Sequence, residues 1–179
     1  MLVLLLGLLV ILSVAGGGNT VGGLAWHAGL TALCVCFAYA GQGAMPCVLA
    51  VVMAVLTGLL AVQMSRVPAT ARERGGIRLA GGLLCVALLA QVIVHDGSAD
   101  ITARLAGLAG LAAIMCGAWG ACLARAPVAL CASLAYGLDG VTLLAAQADS
   151  MLGMGQAVAA AVGLNIIMAA VLRGGSGGI

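Results

Sequence analysis

Apolar runs long enough to cross a bilayer follow one another along almost the whole of this chain, with little charge between them. A hydrocarbon core about 30 Å thick takes a helix of roughly 20 apolar residues. Seven runs of about that size lie near 1–17, 22–41, 45–64, 77–95, 103–123, 127–147 and 151–172. Only 7% of the 179 residues are charged, against roughly 25% in a soluble domain, so the chain has too little polar matter to dress a water-facing surface. The pattern predicts an all-α, polytopic membrane protein with about seven transmembrane helices. It divides into an N-terminal four-helix segment over 1–100 and a C-terminal three-helix unit over 101–179.

The first run, "MLVLLLGLLVILSVAGGG", has an apolar core but no basic residues ahead of it. A retained helix is therefore expected, with a cleaved signal peptide as the alternative. Pro46 and Pro127 fall at the first turns of their helices, where a missing N–H costs little. Pro68 lies in the polar loop "SRVPATARERGG". Across seven spans, Arg66, Arg72, Arg74 and Arg78 share a side with Arg125 and Arg173. The other side receives His95, Asp96, Asp100 and Asp149, with Arg104 as its one base. The positive-inside rule makes the arginine-rich side cytoplasmic. The expectation is a multi-pass protein of a bacterial cytoplasmic (inner) membrane, N-terminus outside and C-terminus inside.

The 28 glycines and five aromatic residues suit close helix packing, since small side chains let backbones approach in lipid. Gly110, Gly117 and Gly120 lie near one face of the fifth span, and Gly18 with Gly22 forms a GxxxG at a loop–helix junction. So few bulky side chains suggest a bundle built to pack against neighbours. A net charge of +2 is too small to indicate nucleic acid. Seven cysteines, an odd number without zinc-type spacing, argue against a disulfide framework or a metal site.

Asp139 stands out. It lies roughly 18 Å beyond Pro127, slightly past the middle of its helix, where an acid costs about 2.5–3.5 kcal/mol on insertion scales. Tyr136 and Thr142, three residues away on either side, share its face, and either hydroxyl is placed to hydrogen-bond it. Two roles are open: a relay or quinone-pocket acid, or a protonated carboxyl that joins helices or faces a partner subunit. Asn165 lies shallower and is expected to join helices. Gln63, Gln91, Gln147 and Gln156 fall near helix ends, within reach of headgroups and water. His27 is placed near the cytoplasmic end of span two and His95 at the outer end of span four, depths that rule out one haem held by both. Cys34 and Cys36, two apart, point about 200° away from each other and cannot chelate together. Nothing reads as a chemical active site.

The stretch "GAWGACLARAPVALCASLAYGLDGVTLL" resembles the membrane component E of hydrogenase-4-type complexes. That family is related to the K-type subunit of respiratory complex I and the C subunit of Mrp cation/proton antiporters. The family pattern is a glycine-spaced helix, a short Arg-bearing turn, then a helix with Gly, an acid, and an Asn or His before a Val-x-Leu-type ending. Here those positions read Gly117, Gly120, Arg125 and Asp139 to Leu143. The ending "GMGQAVAAAVGLNIIMAAVLR" resembles component E as well, and the match covers about 65 C-terminal residues. The departures are specific. Asp139 stands where hydrogenase-type members have Asn, the preceding Glu is Leu138, the K-subunit glutamate falls at Ala135, and a further acid falls near Ala159.

The resemblance implies a non-catalytic membrane-arm subunit of a complex I-like or group 4 hydrogenase-like, proton- or sodium-translocating redox complex. Its partners would be antiporter-like and other membrane-arm subunits within the lipid bilayer. Iron–sulfur clusters, and nickel–iron or quinone, would belong to those partners, with no cofactor in this chain. The ion-pathway candidates are Asp139, Tyr136, Thr142 and Asn165. A free-standing small multi-helix transporter is the alternative, and an accessory assembly factor a third reading.

Overall fold

A computed structural model describes residues 1–15, 21–39, 41, 43–67, 75–94 and 100–175. Gly18, Pro68, Arg72, Arg74, His95 and Asp96 lie outside them. The described chain is helical throughout: α1 (Leu2–Ala15), α2 (Val21–Tyr39), α3 (Ala44–Met64), α4 (Gly75–Val94), α5 (Ile101–Leu123), α6 (Pro127–Gln147) and α7 (Met151–Gly175). Four of these, α3, α5, α6 and α7, are long and apolar enough to cross a membrane. The remaining three are apolar but shorter over their described stretches. The 14 residues of α1, for instance, rise about 21 Å, short of a hydrocarbon core.

Local chemistry explains the helix ends. Pro127 sits at the first position of α6, where its missing N–H is no loss. The α6–α7 turn closes as a Schellman motif. Ser150 N–H donates to Ala145 O at 2.8 Å and Asp149 N–H to Ala146 O at 3.2 Å. Asp149 takes the left-handed conformation, φ 50°, that this motif needs and that Asp tolerates better than most residues. Ser150 Oγ then accepts from Gly153 N–H at 3.2 Å and opens α7. Helix α5 starts two residues before its expected position because the Asp100 carboxylate accepts from Ile101 N–H and from the Thr102 hydroxyl.

Helix α6 is the centre of the bundle: 61% of its apolar window is buried, against 22% for α7. It packs on α2, α3, α5 and α7, while α1 packs on α2, α4 and α5. Helices of the first hundred residues thus lie directly on those of the C-terminal segment, α1 on α5, α2 on α6 and α3 on α7. The glycine face of α5 meets α6 at backbone distance. A Cβ on Gly117 would lie 2.7 Å from Ser133 O, and one on Gly140 would lie 2.5 Å from Gly110 O. Van der Waals attraction between closely approached backbones drives such packing in lipid, where the hydrophobic effect cannot.

Two apolar clusters fill the bundle. One joins Leu24, Leu60, Met64, Cys131, Leu164 and Met168. The other joins Leu6, Leu30, Val35, Ala106, Leu143 and Met154. The first gathers the starts of α2 and α6 with the ends of α3 and α7, so Arg66, Arg125 and Arg173 share one end of the bundle. Asp100, Arg104 and Asp149 lie at the other. Large apolar side chains such as Val55, Leu59, Leu84, Leu88, Ile166 and Ile167 cover the outside. A surface of that kind belongs against lipid or other protein, not water.

Candidate functional site: a buried His27–Asp139 pair

Between the two apolar clusters lies a polar layer. Along α2, His27 falls between Leu24 and Leu30; along α6, Asp139 falls between Tyr136 and Leu143; along α3, Thr57 falls between Ala50 and Leu60. These side chains meet. His27 Nδ1 lies 2.9 Å from Asp139 Oδ2, with the two residues 0% and 1% exposed. The Thr57 hydroxyl donates to Asp139 Oδ1 at 3.4 Å. On the far side of the imidazole, Nε2 lies 3.0 Å from Ser13 Oγ in α1. Four helices therefore converge on one hydrogen-bonded string, Ser13–His27–Asp139–Thr57.

The string constrains its own protons. The Ser13 hydroxyl donates its single hydrogen to Leu9 O at 2.8 Å, so toward His27 it acts as acceptor and Nε2 carries a hydrogen. The His27–Asp139 bond then holds one further proton, either on Nδ1 as an imidazolium–carboxylate pair or on Asp139 as a neutral acid facing a neutral imidazole. Both forms carry zero net charge, the state that costs least among apolar helices. Removing that proton leaves a net negative charge. The network accommodates it when the remaining hydrogen moves to Nδ1 and the Ser13 hydroxyl turns from Leu9 O to donate to Nε2. Turning the Ser13 hydroxyl and moving one ring hydrogen from Nε2 to Nδ1 thus connect the protonated and deprotonated forms.

Tyr136 is brought to this site, though not as a partner of the acid. Its ring meets the imidazole edge-on, centroids 4.6 Å apart at 67°, and walls one side of His27. Thr142 is not brought to it: its hydroxyl donates to Leu138 O at 2.9 Å, one turn back on its own helix, a common use of Thr within helices. Asp139 therefore takes its partners from α2 and α3, and not from the hydroxyls three residues away. Nor does it face outward toward another polypeptide.

Asn165 forms a second polar contact. Its amide donates to Leu56 O at 3.1 Å and to Ala161 O at 2.9 Å, and its oxygen accepts from Gln63 Nε2 at 3.4 Å. It ties α7 to α3. Gln63 and Gln147 depart from the expected headgroup-facing role. Gln63 is half-buried against Asn165, and Gln147 donates to Ala103 O at 2.9 Å, joining α6 to α5. Arg78 also departs from expectation. It belongs to the first turns of α4, half-buried, with its guanidinium donating to Ser133 Oγ at 3.2 Å, and not to a solvated loop. Glycine at 120 leaves room for it, since a Cβ there would lie 2.7 Å from Arg78 Nη2.

His27, Ser13 and Thr57 are the site residues the sequence reading missed. Depth was the reason. Counted from their helix starts, His27 is about 9 Å along α2 and Asp139 about 18 Å along α6, so they meet because α2 begins about 9 Å deeper in the bundle. A signal was available, since ionisable residues inside membrane helices commonly pair with one another. Both imidazole nitrogens are engaged by Ser13 and Asp139, an arrangement suited to proton handling, not metal ligation. No family model, curated protein or solved structure matches this chain.

Proposed function

We propose that this is a multi-pass protein of a bacterial cytoplasmic membrane that handles protons through the His27–Asp139 pair. In this reading it serves as a non-catalytic membrane-arm subunit of an ion-translocating redox complex. The observation that carries it is the imidazole–carboxyl contact of 2.9 Å, sealed among apolar helices. Acid–base groups in that setting commonly mark proton relays. The resemblance of Gly117 to Leu143 to component E of hydrogenase-4-type complexes supports placement in such an assembly. In this orientation seven spans cross the membrane, with the arginine-bearing end in the cytoplasm.

A second reading, a free-standing proton-coupled transporter, is favoured by one observation. Asp139 is 1% exposed within this chain and is bonded there to His27 and Thr57. Mild-detergent purification separates the two. Recovery with larger membrane and iron–sulfur subunits supports the subunit. A monodisperse single chain that moves protons or solute in proteoliposomes supports the transporter. Asp139→Asn tests both: it keeps hydrogen bonds to His27 and Thr57 but cannot titrate. Loss of proton movement with intact assembly supports the relay, and unchanged movement makes the pair purely structural.

A further inference from the structure

Building on the proton-handling reading above, we infer that the His27–Asp139 pair exchanges its proton with the arginine-bearing end of the bundle, through the Ser13 hydroxyl. Depth gives the side. From the level of the pair toward that end, α6 runs on for about 18 Å and α2 for about 9 Å, whereas α1, over its described residues, stops about 3 Å past Ser13. The shortest way out therefore lies over the end of α1. Helix α4 passes beside it, since a Cβ on Gly82 would touch Val14 Cα and Cys116 Sγ of α5, both at 3.5 Å. One turn nearer the arginine-bearing end on the same face of α4, Arg78 donates to the fully buried Ser133 hydroxyl of α6. Polar groups thus continue beyond Ser13 in that direction.

The opposite direction is closed. Leu6, Leu30, Val35, Leu143 and Met154 fill it, and the buried Thr31 and Thr142 hydroxyls donate to carbonyls of their own helices, His27 O and Leu138 O. Thr57 offers no second exit. Its hydrogen goes to Asp139, and Leu60, Ala61 and Met64 of the apolar cluster stand between it and the end of α3. In the transfer, the Nε2 proton passes to Ser13 Oγ while the hydrogen that Ser13 gives to Leu9 O leaves to a water at the end of α1. One N–H and one O–H bond break, and one O–H bond forms on Ser13 and one on the water. The proton shared with Asp139 settles on Nδ1, the pair is left with one negative charge, and the new Ser13 hydroxyl donates to the vacated Nε2.

The full chain, 15N-labelled in lipid bilayers, tests the route through the rate at which the His27 Nε2 hydrogen exchanges with water. Ser13→Ala should slow that exchange by about a hundredfold, the lower range for a positioned proton-transfer group. Ser13→Thr keeps a hydroxyl and should restore the rate, and Thr57→Val should leave it unchanged. The native protein tests the side without any substitution. Such exchange is catalysed by acid and base, so in sealed vesicles of one orientation the rate should follow pH at the arginine-bearing face. An unchanged rate in Ser13→Ala, a slowed one in Thr57→Val, or a rate that follows the other face or neither overturns the route. Exchange needs no net proton movement. An Asp139→Asn protein that still moves protons would therefore end the relay reading, while the exchange rates alone decide the route.

Discussion

His27 Nδ1 and Asp139 Oδ2 lie 2.9 Å apart although 112 residues separate them in the chain. Each accounts for the other. An isolated carboxyl or imidazole among apolar helices is expensive, and together they form a neutral unit. Breaking the unit from one side is therefore costly. Asp139→Leu is expected to destabilise the protein by about 3–5 kcal/mol in detergent unfolding. Asp139→Leu combined with His27→Leu should cost clearly less than the sum of the two single changes. Additive costs would show that the two residues do not interact.

The α5–α6 contact predicts a steep dependence on side-chain size. A Cβ at Gly140 would meet Gly110 O at 2.5 Å, and one at Gly117 would meet Ser133 O at 2.7 Å, backbone atoms that cannot rotate aside. Gly140→Ala and Gly117→Ala should each cost about 1–3 kcal/mol, the range for overpacking. Gly58 and Gly155 face open space, so their replacement by Ala should be neutral or slightly stabilising. Thermal unfolding of the four variants in one detergent compares them directly.

Much of this packing was legible in the sequence, and so was Asp139, but its partners His27, Ser13 and Thr57 were not. Glycine spacing identified the close face of α5, and Pro127 marked the start of α6, because local sterics fix both. Pairing between α2 and α6 depends on how far each helix is displaced along the bundle, which periodicity does not encode. Gln63 and Gln147 were misjudged for a related reason. Closeness to a helix end suggested headgroups, whereas Asn165 and the carbonyl of Ala103 stand nearer.

At the Asn165 contact, replacement by Leu removes two donors from carbonyls of α3 and α7 and an acceptor for Gln63. The expected cost is about 0.6–2 kcal/mol, the span seen for hydrogen bonds between membrane helices. Faster hydrogen exchange in α7 than in α6 of the variant would locate the loosening.

Asp100 gives a pH dependence. The Thr102 hydroxyl and the Ile101 N–H hold its carboxyl below the usual carboxylate range. A lowered folded value means the cap contributes fully above the unfolded value near 3.9 and is lost as pH falls through the folded one. Hydrogen-exchange protection at the first turn of α5 should therefore decline below about pH 4, and Asp100→Ala should remove the decline.

The most direct measurement is 15N NMR of His27 in bilayers, with His95→Gln to leave a single histidine. The expected spectrum has Nε2 protonated and Nδ1 in a strong hydrogen bond to Asp139. Asp139→Asn should leave a neutral Nε2–H imidazole whose Nδ1 accepts from the amide, with a changed Nδ1 shift. An imidazole whose nitrogen shifts are the same in both proteins would contradict the His27–Asp139 pair.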